Sequence, residues 1–241
     1  MLCSIFNHIF NTGIYPEAWS IGTIIPIYKK GDPSNPTNYR GINNVNTMAK
    51  IFSLLLRVCI NKWCETNSVF NDSQYGFRDD CSTADAVFIL HTTIQKTLAT
   101  NKKLWCIFID YVRVFDTVIR DGLWAKLIST GLSCKMVNMM KAIYAKVQSC
   151  VKWSYNNTVL YLTFEVTFGL KQGEHLPPML FILFINDISS TIDYNCLTQD
   201  DIDLLSRSVI LFAVDIVLFN TDPASVQLKS ITFIGIHSNG V

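Results

Sequence analysis

Two apolar stretches that each lead into an aspartate decide the fold. The first, Leu104-Trp-Cys-Ile-Phe-Ile109, runs directly into Asp110. The second, Ser208-Val-Ile-Leu-Phe-Ala213, is followed by Val214-Asp215 and then by a further apolar run, Ile216–Asn220. Continuous apolar runs of this length are typical of strands that are buried on both faces. The sequence therefore predicts one buried strand ending at Asp110 and one tight hairpin with Val214 and Asp215 in its turn.

The residues around these strands predict helices. Apolar side chains recur at three- and four-residue steps, as on one face of a helix, in 46–65, 82–98, 121–129, 135–147 and 177–188. Asn46 or Thr47 suits the start of the first, and Ser82 with Asp85 forms a capping pattern for the second. Asn156-Asn157 predicts a hairpin turn, because asparagine tolerates positive φ. Together these patterns indicate an α+β fold, a sheet of a few strands with helices packed on one face.

Composition excludes several classes of protein. Hydrophobic residues make up 49% of the 241 residues and charged residues 16%, which is the composition of a packed globular chain. The eight cysteines contain no Cys-X-X-Cys pair and the four histidines show no ligand spacing, so no zinc site is expected. There is no basic stretch before the first apolar residues, and the most apolar run, Met179–Ile185, is too short to span a bilayer. We therefore expect an intracellular protein, in the cytoplasm or nucleus, with no membrane partner and no secretion.

Asp110 and Asp215 are the candidate catalytic residues. If the two apolar elements pair, Asp110 and Asp215 come together and form an oxygen-rich site of the kind that Mg²⁺ prefers. Two such ions would clamp the attacking and leaving oxygens of a phosphoryl transfer. The alternative is that both aspartates only cap turns and bind no metal.

A series of motifs, read in order, resembles the reverse transcriptases of non-LTR (LINE-type) retrotransposons. Two N-terminal segments, Ile24-Ile-Pro-Ile-Tyr-Lys-Lys-Gly-Asp32 and Asn38-Tyr-Arg-Gly-Ile42, resemble their fingers motifs. Gln74-Tyr-Gly-Phe-Arg78 resembles the next motif, and Phe108-Ile-Asp-Tyr-Val-Arg-Val-Phe-Asp-Thr-Val118 resembles the first palm motif. Gly169-Leu-Lys-Gln-Gly173 resembles the motif that contacts the nucleotide and template. Leu211-Phe-Ala-Val-Asp215 resembles the hairpin that carries an aspartate pair.

The resemblance implies a right-hand polymerase fold with fingers and palm subdomains only. The fingers would be residues 1–80, with 118–150 also fingers-like. The palm would be 81–117 and 151–241, cut off after the aspartate hairpin and without a thumb. The partners implied are an RNA template, a DNA primer and dNTPs, and the cofactor is a pair of Mg²⁺ ions.

The resemblance also implies a role for single residues. Asp110 and Asp215 would be catalytic metal ligands. Lys29 or Lys30 and Arg40 would neutralise the triphosphate, although ordinary surface charges are the alternative. Phe115 would be the steric gate against a ribose 2′-OH, or else a core aromatic, and the Tyr111 carbonyl would add a metal ligand. Gln172 and Gly173 would lie under the nucleotide.

Several positions depart from the family pattern. The hairpin motif normally reads Phe/Tyr-Ala-Asp-Asp, but here Val214 replaces the first aspartate, and valine has no oxygen donor. Asp215 would replace it only through a one-residue shift of the turn, because a slip of one residue reverses the side-chain face. Glu174 adds a negative charge where phosphates are expected. We therefore expect an impaired enzyme.

Two other functions stay open. The chain is alternatively a non-catalytic nucleic-acid-binding relic of a retrotransposon. The mild basic bias of residues 1–65 is compatible with phosphate contacts, and an ordinary solvated surface is the other interpretation of that bias. A phosphohydrolase with an aspartate nucleophile is a more distant possibility, because Val114-Phe-Asp-Thr-Val118 is similar to its nucleophile loop. Enzymes of that class have a second acidic residue two positions after the first, but Val112 follows Asp110 and Val118 follows Asp116 at that spacing.

Overall fold

The computed structural model describes residues 1–111, 114–155, 158–171, 173–188 and 209–238. In chain order the helices are α1 Leu2–Thr12, α2 Glu17–Ser20, α3 Thr47–Thr66, α4 Thr83–Ala99, α5 Val114–Thr117, α6 Arg120–Ser129, α7 Cys134–Ala145, α8 Leu176–Phe184 and α9 Pro223–Ser238. The strands are β1 Ile21–Tyr28, β2 Tyr39–Val45, β3 Trp105–Asp110, β4 Gln148–Tyr155, β5 Thr158–Glu165, β6 Val209–Phe212 and β7 Asp215–Asn220. The chain is thus a mixed α/β protein, as expected.

The elements form two compact units. The first contains residues 1–60 and 115–177, and the second contains 61–114 and 178–241. These bounds overlap with the expected fingers and palm without coinciding with them, since 61–80 lies in the second unit and 151–177 in the first. The fingers and palm assignment stays a prediction.

The first unit is built on a four-stranded sheet of order β2-β1-β4-β5. β1 pairs antiparallel with β2 and parallel with β4, and β4 pairs antiparallel with β5. The predicted hairpin is therefore present as β4 and β5, although Asn156 and Asn157 lie outside the described residues. An apolar core of fully buried side chains on α6 and α7, including Leu123, Met140 and Ile143, supports this unit.

The second unit is built on an antiparallel three-stranded sheet of order β3-β7-β6. One face packs against α4 through a cluster that includes Ala86, Ile210 and Phe219. Successive residues of β6, from Val209 to Leu211, are all buried, so this strand is covered on both faces. The expectation that β3 is also buried on both faces is wrong, since Phe108 is 71% exposed. Within the sheet that the structure describes, β3 is an edge strand.

The predicted helix starts are confirmed. The backbone N–H of Met48 donates to the Asn46 side chain at 2.8 Å, one residue before α3 begins. Ser82 and Asp85 form a reciprocal capping box at the start of α4. The strands β1 and β2 were not predicted, because Pro26 and Gly41 interrupt their apolar pattern. The helix α1 was not predicted either.

No helix in the described part of the chain is both long and apolar enough to cross a membrane.

Candidate active site

Asp110 and Asp215 lie directly opposite each other in the second unit. Asp110 is the last residue of β3 and Asp215 is the first residue of β7, and the two are register partners in the antiparallel ladder. Directly opposed residues of an antiparallel pair point to the same face of the sheet, with their Cβ atoms about 4.5–5.5 Å apart. The fold therefore brings the two predicted catalytic carboxylates together.

The turn of the hairpin differs by one residue from the prediction. β6 ends at Phe212, which pairs with Asp215, so the two-residue turn is Ala213-Val214. Ala213 has a φ of 58°, in the left-handed region that tight hairpin turns require. Asp215 already belongs to the strand. The expectation that Asp215 needs a shifted turn to join Asp110 is wrong, because the unshifted register already puts both side chains on one face.

Both carboxylates are exposed. Since neither is withdrawn from water, the burial penalty that would demand a metal or a cationic partner is absent, and their positions alone do not require an ion. What favours an ion is their juxtaposition. Two aspartates a strand spacing apart repel each other, and a shared divalent cation removes that repulsion.

The donor set fits a single Mg²⁺ better than two. Mg²⁺ is commonly bound by one or two carboxylates, with water and substrate phosphate completing its shell. Val214 lies in the turn beside the pair, half-exposed, and offers no oxygen. Among the residues that the structure describes, no group of three or more acidic, histidine or cysteine side chains gathers at one place. A third carboxylate is therefore missing from the described surroundings of the pair.

Tyr111 follows Asp110 and packs into the second unit. Its ring meets Phe181 edge-on at 6.4 Å between centroids. Burial of the phenol raises the pKa of Tyr111 well above its usual value. The phenol is therefore neutral and serves as a packing group, which anchors the backbone next to Asp110.

In the first unit, Lys29 and Lys30 begin the loop that joins β1 to β2, Arg40 lies on β2 beside that loop, and all three side chains are exposed. Arg40 is opposite Ile27 in the register, and the Lys29 backbone N–H donates to the Asn38 carbonyl at 2.9 Å. The connecting loop is ordered by its own contacts, such as the Tyr39 hydroxyl donating to the Pro33 carbonyl at 2.8 Å. The loop therefore presents a small cationic group, suited to an anionic ligand.

Phe115 and the segment before Gly173 are held together in the first unit. The Leu170 N–H donates to the Phe115 carbonyl at 2.6 Å. A Cβ at Gly173 (φ 112°) would lie 2.6 Å from the Asn43 carbonyl oxygen, so only glycine allows this approach to β2. Since β2 also carries Arg40, three candidate nucleotide contacts belong to interlocked elements. Gln172 lies outside the described residues.

Glu174 does not present a free charge. Its carboxylate lies 3.6 Å from the Lys171 ammonium, and both side chains are only 2% exposed. The Lys171 ammonium also donates to the Ser20 carbonyl at 3.1 Å. Burial raises the pKa of Glu174 and lowers the pKa of Lys171, and their mutual attraction only partly offsets this. The pair neutralises the charge that was expected to face phosphates.

Sequence reasoning missed the contacts of the Gln74–Arg78 motif, which was matched to the family but given no role. Arg78 forms an ion pair with Glu65 at 3.1 Å and lies over the Phe70 ring at 5.1 Å. Asn186, just after α8, accepts from the Asn71 N–H at 2.9 Å and donates to the Val69 carbonyl at 2.7 Å. Polar residues within matched motifs were the only available signal, and it did not reveal their partners.

Comparison with known proteins decides the family. The family model described as reverse transcriptase (RNA-dependent DNA polymerase) matches residues 27–234. The chain belongs to the reverse transcriptase family. Its relatives include the probable RNA-directed DNA polymerase from transposon X-element of Drosophila melanogaster, which is 28% identical over 217 residues. The probable RNA-directed DNA polymerase from transposon BS of the same organism is 26% identical over 188 residues.

The resemblance to non-LTR retrotransposon reverse transcriptases is thus confirmed. The X-element alignment covers 88% of this chain and 22% of the relative, and the BS alignment covers 78% and 20%. The chain therefore spans about a fifth of the length of these relatives. Among solved structures, a truncated apo telomerase from Candida tropicalis has the same fold, with a TM-score of 0.60 at 12% identity over 95% of this chain and 50% of that one.

Proposed function

We propose that this reverse transcriptase chain supplies the polymerase centre of an RNA-directed DNA polymerase, and that the centre is impaired. The reaction would move a nucleotide from a dNTP to the 3′-OH of a DNA primer on an RNA template. The observation that carries the proposal is the pairing of Asp110 with Asp215 beside a turn in which Val214 replaces a carboxylate.

Asp110 and Asp215 would hold Mg²⁺. When bound, a pair of such ions stabilises the charge on the attacking and leaving oxygens of phosphoryl transfer. Two aspartates suffice for one ion together with substrate phosphate, but a second ion would have no third carboxylate among the described residues. The loss falls on transition-state stabilisation rather than on folding, since Val214 is accommodated in a regular two-residue turn.

The resemblance implies nucleotide contacts from Lys29, Lys30, Arg40, Phe115, Gln172 and Gly173. Arg40 is the strongest candidate for the triphosphate, since its guanidinium pairs with two phosphate oxygens at once. Lys29 and Lys30 would add point charges from the same loop. Phe115 would exclude a ribose 2′-OH, and Gln172 and Gly173 would support the base and sugar. A carbonyl ligand from Tyr111 remains part of the proposal.

Fingers and palm subdomains remain our assignment for the fold, with the sheet β3-β7-β6 as the palm sheet. An intracellular location, in the cytoplasm or nucleus, also stays a prediction.

Primer extension tests the function. The probe is a polyadenylate template with an oligothymidylate DNA primer and dTTP, and the proteins are the parent chain, Val214→Asp and Asp110→Asn/Val214→Asp. A missing ligand worth about 4 kcal/mol of transition-state stabilisation corresponds to roughly a thousandfold in rate. We expect extension by Val214→Asp at about that factor above the parent, and none by the double variant. Rapid extension by the parent would refute the impairment, and no extension by any variant would refute the polymerase assignment.

A non-catalytic nucleic-acid binder is the second candidate, favoured by the exposed cations Lys29, Lys30 and Arg40. Filter binding of single-stranded RNA across a salt series measures it. Each phosphate neutralised contributes about −0.7 to the slope of log affinity on log salt for a single strand. A slope near zero, unchanged by Arg40→Gln, would exclude phosphate binding by this loop.

A further inference from the structure

The side chain of Gln74 joins two parts of the second unit. Its Oε1 atom accepts hydrogen bonds from the backbone N–H of Gly76 at 2.8 Å and from the backbone N–H of Ala213 at 3.0 Å. Gln74 is fully buried, with 0% of its surface exposed. Because two N–H donors meet at Oε1, the orientation of this amide is fixed by the network.

The backbone on either side of Gln74 reinforces the connection. The Tyr75 N–H donates to the Leu211 carbonyl and the Leu211 N–H donates to the Ser73 carbonyl, both at 2.8 Å. Gln74 thereby forms an isolated parallel bridge with Leu211 on the outer edge of β6. The segment fixes β6 immediately before the turn.

Gly76 brings this segment into direct contact with the turn. A Cβ at Gly76 would lie 2.2 Å from the Ala213 nitrogen, a distance that no side chain can occupy. Glycine at position 76 therefore lets the segment reach the turn, and the side-chain Oε1 of Gln74 accepts the hydrogen bond there.

The segment is itself anchored. Arg78 donates to the backbone carbonyl of Gln74 at 3.4 Å and to the backbone carbonyl of Asn71 at 3.3 Å. Its guanidinium also forms an ion pair with Glu65 of α3. An acceptor that holds a turn is useful only if it is fixed, and these contacts fix it.

Ala213 needs such support. Its φ of 58° is a left-handed conformation that is unfavourable for a non-glycine residue. Its N–H is a buried donor that Gln74 satisfies. The residue determines where the chain turns into Val214 and Asp215, so its conformation controls the direction of both side chains.

A packing role alone does not explain a glutamine here. The Nε2 group is buried and has no acceptor in the described part of the chain, which makes the amide a costly way to fill space. An aliphatic side chain of the same size would fill that space without the penalty. The feature that glutamine adds is the Oε1 acceptor shared by Gly76 and Ala213.

We propose that Gln74 is a positioning residue for the metal-binding turn, which it holds through the Ala213 N–H so that residues 214 and 215 keep their orientation beside Asp110. The inference rests on the proposed function only for its catalytic consequence. The structural part concerns the turn itself and applies to the parent chain whether or not it polymerises.

Amide hydrogen exchange, read by mass spectrometry on a peptide covering residues 211–216 of the full chain, tests the structural part. Gln74→Met removes the acceptor and should accelerate exchange in this peptide by about tenfold or more. Leu90→Ala is the matched control, because Leu90 of α4 packs against the same apolar cluster without bonding to the turn. It should lower the stability of the whole unit without singling out the peptide.

The catalytic part is measured in a Val214→Asp background by primer extension. Adding Gln74→Met should lower kcat by about tenfold and leave the KM for dTTP nearly unchanged, because the turn carries metal ligands and no nucleotide contact. Leu90→Ala in the same background should change neither.

Equal exchange in Gln74→Met and the Leu90→Ala control would overturn the proposal. If Gln74→Met does not fold, Gly76→Ala displaces the same contact and must accelerate exchange in the same peptide. If Val214→Asp itself fails to extend a primer, the proposed function is wrong, and the exchange data still decide the role of Gln74.

Discussion

Asp110 and Asp215 are register partners at the ends of β3 and β7, and Val214 lies one residue before Asp215. The sheet therefore holds two carboxylates on one face, beside a valine at the position where the family resemblance implies an aspartate. The strand register that places the two carboxylates and the residue at position 214 can be tested separately by single substitutions.

The buried ion pair of Lys171 and Glu174 should respond asymmetrically to substitution. Lys171→Met leaves a buried carboxylate without its cation and should lower the free energy of unfolding by about 3 kcal/mol at pH 7. Glu174→Gln leaves the buried Lys171 ammonium without its anion, but that ammonium still donates to the Ser20 carbonyl, so the loss should be smaller, about 2 kcal/mol. Urea denaturation measures both.

The double variant Lys171→Met/Glu174→Gln should recover most of the loss, since no unpaired charge stays buried. The exposed pair Lys146 and Glu17 is the matched control, where Lys146→Met should have a much smaller effect. Equal losses for Lys171→Met and Lys146→Met would show that the buried pair is not coupled as described.

The pH dependence of stability follows from Glu174. Because burial raises the pKa of Glu174 above 4.5, the unfolded chain releases this proton at lower pH than the folded chain does. The free energy of unfolding of the parent should therefore fall relative to Glu174→Gln as the pH rises above 4.5, and level off above the raised pKa. Chemical denaturation of both proteins from pH 4 to pH 8, a range set by ordinary carboxyl pKa values of about 4, measures the difference. A difference that grows in favour of the parent with rising pH would contradict the assignment.

Phe115 should decide between deoxyribose and ribose. In the Val214→Asp background, Phe115→Val opens space for a 2′-OH, so incorporation of UTP relative to dTTP should rise by about tenfold or more. The ratio of kcat/KM values in single-nucleotide extension measures this. Phe168→Val is the control, because Phe168 is exposed and no site role is assigned to it. An unchanged ratio for Phe115→Val would leave Phe115 as a packing residue of α5.

The sequence predicted the local part of the site and not its neighbours. The apolar runs before Asp110 and Asp215 and the capping pattern at Ser82 are local signals, and the strands and helix start follow them. The predicted turn, Val214-Asp215, lies one residue after the observed turn, Ala213-Val214. Neither Ala213 nor Val214 is a glycine or asparagine, the residues that usually mark such a turn. Only the observed register showed that Asp215 needs no shift.

Long-range polar contacts could not be predicted. Gln74 and Ala213 are 139 residues apart, and nothing in their local sequence indicates that one accepts a hydrogen bond from the other. Glu174 was expected to repel phosphate because the sequence does not show that its carboxylate is buried and paired with Lys171. The partner of Gln74 is determined by packing between distant segments. The pairing of Lys171 with Glu174, three residues apart, depends on the burial of both side chains, and periodicity reports neither.

Binding of Mn²⁺, followed by the electron paramagnetic resonance signal of the free ion, tests the central claim that Asp110 and Asp215 form one cation site whose further ligand was lost at position 214. Val214→Asp should bind Mn²⁺ at least about tenfold more tightly than the parent, and adding either Asp110→Asn or Asp215→Asn should abolish that gain. Asp121→Asn, on α6, should have no effect. Equal affinity of the parent and Val214→Asp, or a gain that survives the loss of Asp215, would contradict the claim.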